Sequence, residues 1–176
     1  LSQKVLDGLH EGNVYGVIKH FPGHGATAGD THEGYAYTDK SLEELEQQEL
    51  VPFQNAIENH IAIIMAGHIS VPNVTGDNTP SSLSKIMITD VLREKMGFDG
   101  IVITDALNMG AISQHYSSAE VSVKVLEAGG DMLLMPENFQ EAYQGILEAV
   151  QNGTLTEERI DESVRRILKV KEKLTA

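Results

Sequence analysis

Apolar residues gather along the chain in four short runs: Val14–Ile18 (VYGVI), Ile61–Met65 (IAIIM), Ile101–Thr104 (IVIT) and Asp131–Met135 (DMLLM). Apolar and polar positions do not alternate within them, which predicts strands covered on both faces, as in a parallel sheet. The intervening segments are amphipathic and carry helix punctuation. Val5, Leu6 and Leu9 give Ser2–Glu11 one apolar face, and Gly12 stops it. Ser41-Leu-Glu-Glu44 has the capping-box pattern that opens a helix, with Pro52 a break or a second start. Ser84 is placed to cap Lys85–Met96, which Gly97 ends. Glu120–Ala128 closes at Gly129-Gly130, and Phe139–Val150 stops near Gly153. Thr156 opens a last helix with Ile160, Val164, Ile167 and Leu168 on one face. Lys169, Lys171 and Lys173 sit in its final turns, where cations complement the helix dipole.

The predicted order is a helix followed by four βα units, with no linker, low-complexity tract or heptad repeat, so residues 1–176 read as a single α/β domain. Repeated βα units imply right-handed crossovers and either an open doubly wound sheet or a barrel. A complete eightfold barrel takes about 250 residues; four units amount to half of one. The chain opens at Leu1 inside a helical pattern, which leads us to expect a missing N-terminus and leaves the compartment, cytoplasm or cell envelope, undecided.

Composition narrows the partners. The 176 residues carry 13 Lys plus Arg against 26 Asp plus Glu, a formal net charge of −13. Such a balance argues against general binding to nucleic acid, which needs clustered cations. It suits a neutral or small ligand. No apolar run approaches the roughly 20 residues of a membrane helix. With no cysteine, disulfides, zinc–thiolate sites and thiol nucleophiles are excluded.

Polar residues that a core would not require follow the strands. Lys19-His20-Phe-Pro-Gly-His24-Gly and Asp30-Thr-His32 come after the first run, Gly67-His68 after the second, Asp105 and Asn108 after the third, and Pro136-Glu137 after the fourth. In parallel α/β folds the loops at the carboxyl ends of the strands converge, so Lys19, His20, His24, His32 and His68 should face one mouth. Asp105 is pinned at the end of a buried strand. That suits a nucleophile, which must meet an electrophilic carbon at about 3–3.5 Å; the same position suits an N-cap. Asp30 and His32 point the same way in an extended segment, where the carboxylate can fix the tautomer and raise the basicity of the imidazole, making an acid/base pair. The alternative is a solvated loop. Gly23 and Gly25 imply a tight turn around His24, Lys19 and His20 can donate to the hydroxyls of a polyol, and His68 reads as a packed, hydrogen-bonded histidine.

Taken together, Lys19-His-Phe-Pro-Gly-His-Gly25 with Thr27 and Asp30-Thr-His32 resembles the signature loop of the family 3 glycoside hydrolases, in the bacterial β-N-acetylglucosaminidase (β-hexosaminidase) branch. Further matches follow in order: Leu50-Val-Pro-Phe53, Ile64-Met-Ala-Gly-His68, Thr79-Pro-Ser-Ser-Leu-Ser84, the run Gly97–Ile112 and Ala128–Pro136. The β-glucosidases of the family carry Ser-Asp-Trp at the nucleophile, whereas this chain has Thr104-Asp105-Ala106 and no Trp.

The resemblance implies the C-terminal half of a (β/α)8 TIM-type barrel. It also implies removal of terminal β-linked N-acetylglucosamine with retention, often from peptidoglycan fragments and without metal or cofactor. By motif, Asp105 would be the nucleophile, His32 the general acid/base and Asp30 its partner, while Lys19 and His20 would contact the sugar. Three other readings stand beside it. One is a phosphorylase, because a neutral histidine does not repel phosphate. Another is a metal-dependent hydrolase using His20, His24, His32 and Asp30. The third is an inactive half-barrel that covers its open edges by forming a homodimer.

Overall fold

The computed structural model describes residues 2–25, 27 and 36–175. The chain begins with α1 (Ser2–Glu11), β1 (Val17–Phe21), β2 (Ala36–Tyr37), α2 (Leu42–Gln47), α3 (Val51–Glu58), β3 (Ile63–Ala66), β4 (Ile69–Ser70) and α4 (Pro72–Thr75). A 3-10 turn (Ser81–Leu83) and a π-wound helix (Ile86–Lys95) lead into β5 (Ile101–Thr104). The remainder is helical: α5 (Gly110–Ser113), α6 (Ser118–Ala128), α7 (Phe139–Gln151) and α8 (Glu157–Thr175).

Three of the apolar runs form the parallel sheet β1–β3–β5. Ile63 to Ala66 pair in register with Ile101 to Thr104, and Phe21 pairs with Ala66 after a register shift in β1. Phe21, Ala66 and Thr104 therefore end at one edge, and the segments that follow them are neighbours. The core on the helix-covered side holds Phe21, Ile64, Ala66 and Val102 against Leu45, Phe53, Met87, Ile88 and Leu92. Ile63, Met65 and Ile103 are only half-buried, so cover on both faces, expected from the apolar runs, is incomplete.

The strand boundaries shift where helices claim the first residues of a run. Val14 donates its N–H to Leu9 O (2.9 Å) and Ile61 donates to Ala56 O (2.9 Å), so both close the preceding helix and β1 and β3 start later than predicted. The fourth run does not become a strand: its ladder is a single parallel bridge, Ile103 to Met132. Beyond it, the N–H of Leu134 donates to the Thr104 hydroxyl (3.1 Å) instead of to a strand carbonyl, and Met135 turns to φ +48°. The short parallel pair β2–β4 was not anticipated.

Helix starts follow the sequence closely. Ser41 and Glu44 form the expected capping box, with Oγ accepting from Glu44 N–H (3.3 Å) and the Glu44 carboxylate accepting from Ser41 N–H (2.8 Å). Ser117 and Glu120 repeat it at α6. Pro52 lies in the first turn of α3, and Thr156 Oγ1 accepts from Arg159 N–H at α8. Ser84 Oγ accepts from Met87 N–H (3.4 Å) at the π-wound helix, and Gly97 follows with φ +74°.

Two features bear on what the fold presents. Asp131, with a fully buried side chain, accepts from Arg93 (2.6 Å), Arg166 (3.0 Å), Ser163 (2.7 Å) and the N–H of Val102 (2.9 Å), which ties α8 and the π-wound helix to β5. In α7, Ala142, Gly145 and Ala149 pack inward with Ile146 and Val150 beside them, while Phe139 (73% exposed), Tyr143 (61%) and Leu147 lie at the surface.

Candidate active site

The site is assembled at the carboxyl edge of β1, β3 and β5. Asp105 follows β5 directly, and its N–H extends the sheet ladder by donating to Ala66 O (2.8 Å). The carboxylate is partly shielded, with 19% of the side chain exposed. Its Oδ1 accepts from Ala106 N–H (2.9 Å), and its Oδ2 lies 3.6 Å from Nε2 of His20, beyond hydrogen-bond reach. One oxygen is thus anchored by backbone. The other faces the histidine without being bonded to it. An N-cap side chain accepts from the N–H two or three residues on; the bond from the adjacent Ala106 is not of that kind.

His20 arrives from β1. Burial holds its proton affinity below the ordinary imidazole value, the charge of Asp105 works against that shift, and Lys19 and His24 reinforce it. It is therefore neutral near pH 7 and offers one donor and one acceptor. Lys19 precedes it and is exposed. The Lys19–His20 and Phe21–Pro22 peptide bonds are cis. His24 lies edge-on to His20, with ring centroids 5.7 Å apart, and its Nδ1 meets the Thr27 hydroxyl at 2.8 Å. Gly23 adopts φ +133° where an added Cβ would sit 2.7 Å from Glu49 Cβ, so the close approach read from the sequence is present there. At Gly25, nothing among the described residues lies within 4 Å of an added Cβ.

His68 follows β3 and is buried. Nδ1 lies 2.8 Å from Ser82 Oγ and Nε2 lies 3.0 Å from Ala106 O. This is the packed histidine expected. Gly67 lets it pass beneath His20, because a Cβ there would meet His20 Cβ at 3.0 Å. Asp30 and His32, the expected acid/base pair, lie outside the described residues. Asn108 and Glu137 are exposed. Glu137 lines a hollow of about 850 Å³ between Ser113–Ser118 and the start of α7, which is lined by neither Asp105 nor His20. Among the described residues, no three His, Asp or Glu side chains are grouped to hold a metal ion.

Reading the sequence for chemistry missed Ser82 and Asp131. A serine in a Pro-Ser-Ser turn carries no distinctive signal. An aspartate inside the run Asp131–Met135 does carry one, since a charge opening an apolar stretch needs a partner.

A parallel sheet that gathers a carboxylate and histidines at its carboxyl edge places the chain among α/β proteins built like (β/α)8 enzymes. The chain belongs to glycosyl hydrolase family 3: residues 1–170 match the "Glycosyl hydrolase family 3 N terminal domain". It is similar to the beta-hexosaminidase A of Pseudoalteromonas piscicida, at 32% identity over 92% of this chain and 30% of that protein. Among solved structures it superimposes on a family 3 β-N-acetylglucosaminidase from Paenibacillus sp. str. FPU-7, with TM-score 0.94, 37% identity, 98% of this chain and 33% of that one. It also superimposes on the beta-glucoside phosphorylase BglX, with TM-score 0.90, 33% identity, 96% of this chain and 32% of that one. The chain spans less than half the length of these relatives. Its parallel α/β fold is that of their (β/α)8-type domain.

Proposed function

We propose that the protein acts in hydrolysis of terminal β-linked N-acetylglucosamine with retention at C1, residues 1–176 contributing as one domain. The observation that carries this reading is Asp105: rigidly placed at a strand end, one oxygen held by Ala106 N–H and the other open toward neutral His20. Oδ2 forms the bond to C1 while the C1–O glycosidic bond breaks, and His32 supplies a proton to the departing oxygen. Water then attacks C1 with His32 taking its proton, and Asp105 leaves as carboxylate. Asp30 orients His32, and Lys19 and His20 hydrogen-bond the sugar hydroxyls. Retaining pairs of carboxyl groups lie about 5–5.5 Å apart; a histidine acid in place of one carboxyl group is not bound by that spacing.

The test is trapping. A fluorinated N-acetylglucosaminyl fluoride should label the protein once, on the peptide containing Asp105, and Asp105→Ala should abolish turnover of p-nitrophenyl N-acetyl-β-glucosaminide. A label on another side chain refutes the assignment, as does turnover that survives Asp105→Ala.

The phosphorylase similarity and the neutral character of a histidine acid favour a second reading, in which inorganic phosphate replaces water. Release of sugar 1-phosphate when phosphate is added would select it; free sugar alone selects hydrolysis. The exposed Phe139 and Tyr143 on α7 support the further reading that two copies of the chain associate through this face.

A further inference from the structure

We propose that His68, backed by Ser82, is a positioning residue for the nucleophile: it holds the Ala106 carbonyl, next to the peptide whose N–H anchors Asp105, so that Oδ2 stays free to attack. The inference rests on the assignment of Asp105 above and extends it to two residues that do not reach the substrate.

Hydrogen-bond chemistry fixes the arrangement. Ala106 O can only accept, so the hydrogen between it and His68 belongs to Nε2 (3.0 Å). Burial pushes the proton affinity of His68 below the ordinary imidazole value, outweighing the bond to Ala106 and the nearby charge of Asp105, which act the other way. The ring is therefore neutral and carries one N–H. Nδ1 must then accept, and the donor is the Ser82 hydroxyl at 2.8 Å. Ser82 is itself fixed, since its backbone N–H donates to Gly67 O (3.2 Å) and the neighbouring Ser81 hydroxyl donates to Ile69 O (2.6 Å).

The consequence falls on Asp105. Two bonds, one at the last residue of β3 and one two residues further on, clamp it on either side: its own N–H donates to Ala66 O, which holds the Thr104–Asp105 peptide, and His68 holds Ala106 O in the Ala106–Leu107 peptide. The Asp105–Ala106 peptide lies between these two held planes and carries Ala106 N–H, which is thereby directed to Oδ1 (2.9 Å); that bond fixes the carboxylate and leaves Oδ2 on the His20 side. If Ala106 rotated, both the anchored oxygen and the attacking one would move. A nucleophile displaced by about 1 Å can lose on the order of 100-fold in rate.

Two polar substitutions separate this role from packing. Gln places an amide N–H near the position of Nε2, whereas Asn reaches only as far as Nδ1. We expect His68→Asn to slow labelling of Asp105 by the fluorinated sugar about 100-fold, with affinity for N-acetylglucosamine unchanged, and His68→Gln to stay within about 10-fold of the wild type. The ¹⁵N–¹H spectrum of the unsubstituted protein should show the Nε2–H tautomer, a readout that needs no turnover. Wild-type labelling rates in a folded His68→Asn variant overturn the proposal, and so do equal losses in the Asn and Gln variants or an Nδ1–H tautomer. Absence of label on Asp105 in the wild type instead overturns the nucleophile assignment, while the tautomer result still reports on the clamp.

Discussion

Asp131→Asn tests the cluster that fixes β5, the strand that delivers Asp105. The substitution keeps the volume and removes the charge, so it opens no cavity. Asp131 is fully buried and accepts four hydrogen bonds: Arg93 and Val102 N–H on Oδ2, Arg166 and Ser163 on Oδ1. An amide can accept on one side only; its NH2 must then face either the Arg93 and Val102 donors or the Arg166 and Ser163 donors. Arg93 remains mostly buried and keeps the carbonyls of Gly129, Phe98 and Gly100, and Arg159 keeps those of Leu126 and Gly130. Those bonds soften the loss without neutralising it. Removing one partner of a buried ion pair costs about 3–5 kcal/mol. For a domain of this size each kcal/mol moves Tm by about 2–4 °C, so we expect a fall of roughly 6–20 °C in Tm. Thermal melts by circular dichroism measure it, and hydrogen exchange should show the Val102 amide among those losing protection. A Tm within about 2 °C of the wild type would refute the view that this carboxylate ties the helices to the strand.

Three further outcomes are expected. His32→Ala should slow N-acetylglucosaminides with poor leaving groups by about 100-fold or more relative to those with good ones, since acid assistance matters most for a basic leaving oxygen; equal losses across the series would remove His32 from the acid role. His20 and His68 both bind protons less readily when folded, chiefly through burial. The unfolded chain therefore takes up protons first as pH falls below about 6.5, so their contribution to stability is complete above that value and is lost as pH drops toward their folded values. Tm should accordingly fall between about pH 7.5 and about pH 5, and fall less in His68→Gln; a Tm that rises on acidification would contradict this. Self-association through α7 should appear as a concentration-dependent dimer in light scattering that Phe139→Glu with Tyr143→Glu abolishes. A strict monomer at high concentration counts against it.

What the sequence disclosed depended on how local the determining physics was. Capping boxes need four consecutive residues, and the Ser41–Glu44 box forms as read. The run Ile101–Thr104 became β5 without adjustment because both of its neighbours in space, β3 and the Met132 bridge, match its polarity. Other boundaries were not local. Val14 and Ile61 are as apolar as any strand residue, but each N–H is taken by the helix before it. The fourth run fails as a strand because the Thr104 hydroxyl, a group on another element, competes for Leu134 N–H. Hydrophobic pattern records which residues avoid water; it does not record which carbonyl an N–H will find.

The same distinction explains the site. Connectivity alone placed His20, His68 and Asp105 at one edge, and the parallel register brings them there. Their division of labour was not visible, since all three are polar residues one or two positions past a strand or at its end. It comes from depth. His20 and Asp105 keep part of their surface open, whereas His68 lies beneath them with both nitrogens engaged. Ala66, Gly67 and His68 each act on the site: Ala66 O receives Asp105 N–H, Gly67 leaves room for His20, and His68 holds Ala106 O. A disturbance in these three residues must therefore move His20 and Asp105 together, while one in the Gly23–Thr27 turn can shift His24 and leave the carboxylate where β5 sets it. The adjoining strand end is thus part of the machinery even though none of its three residues needs to touch a sugar.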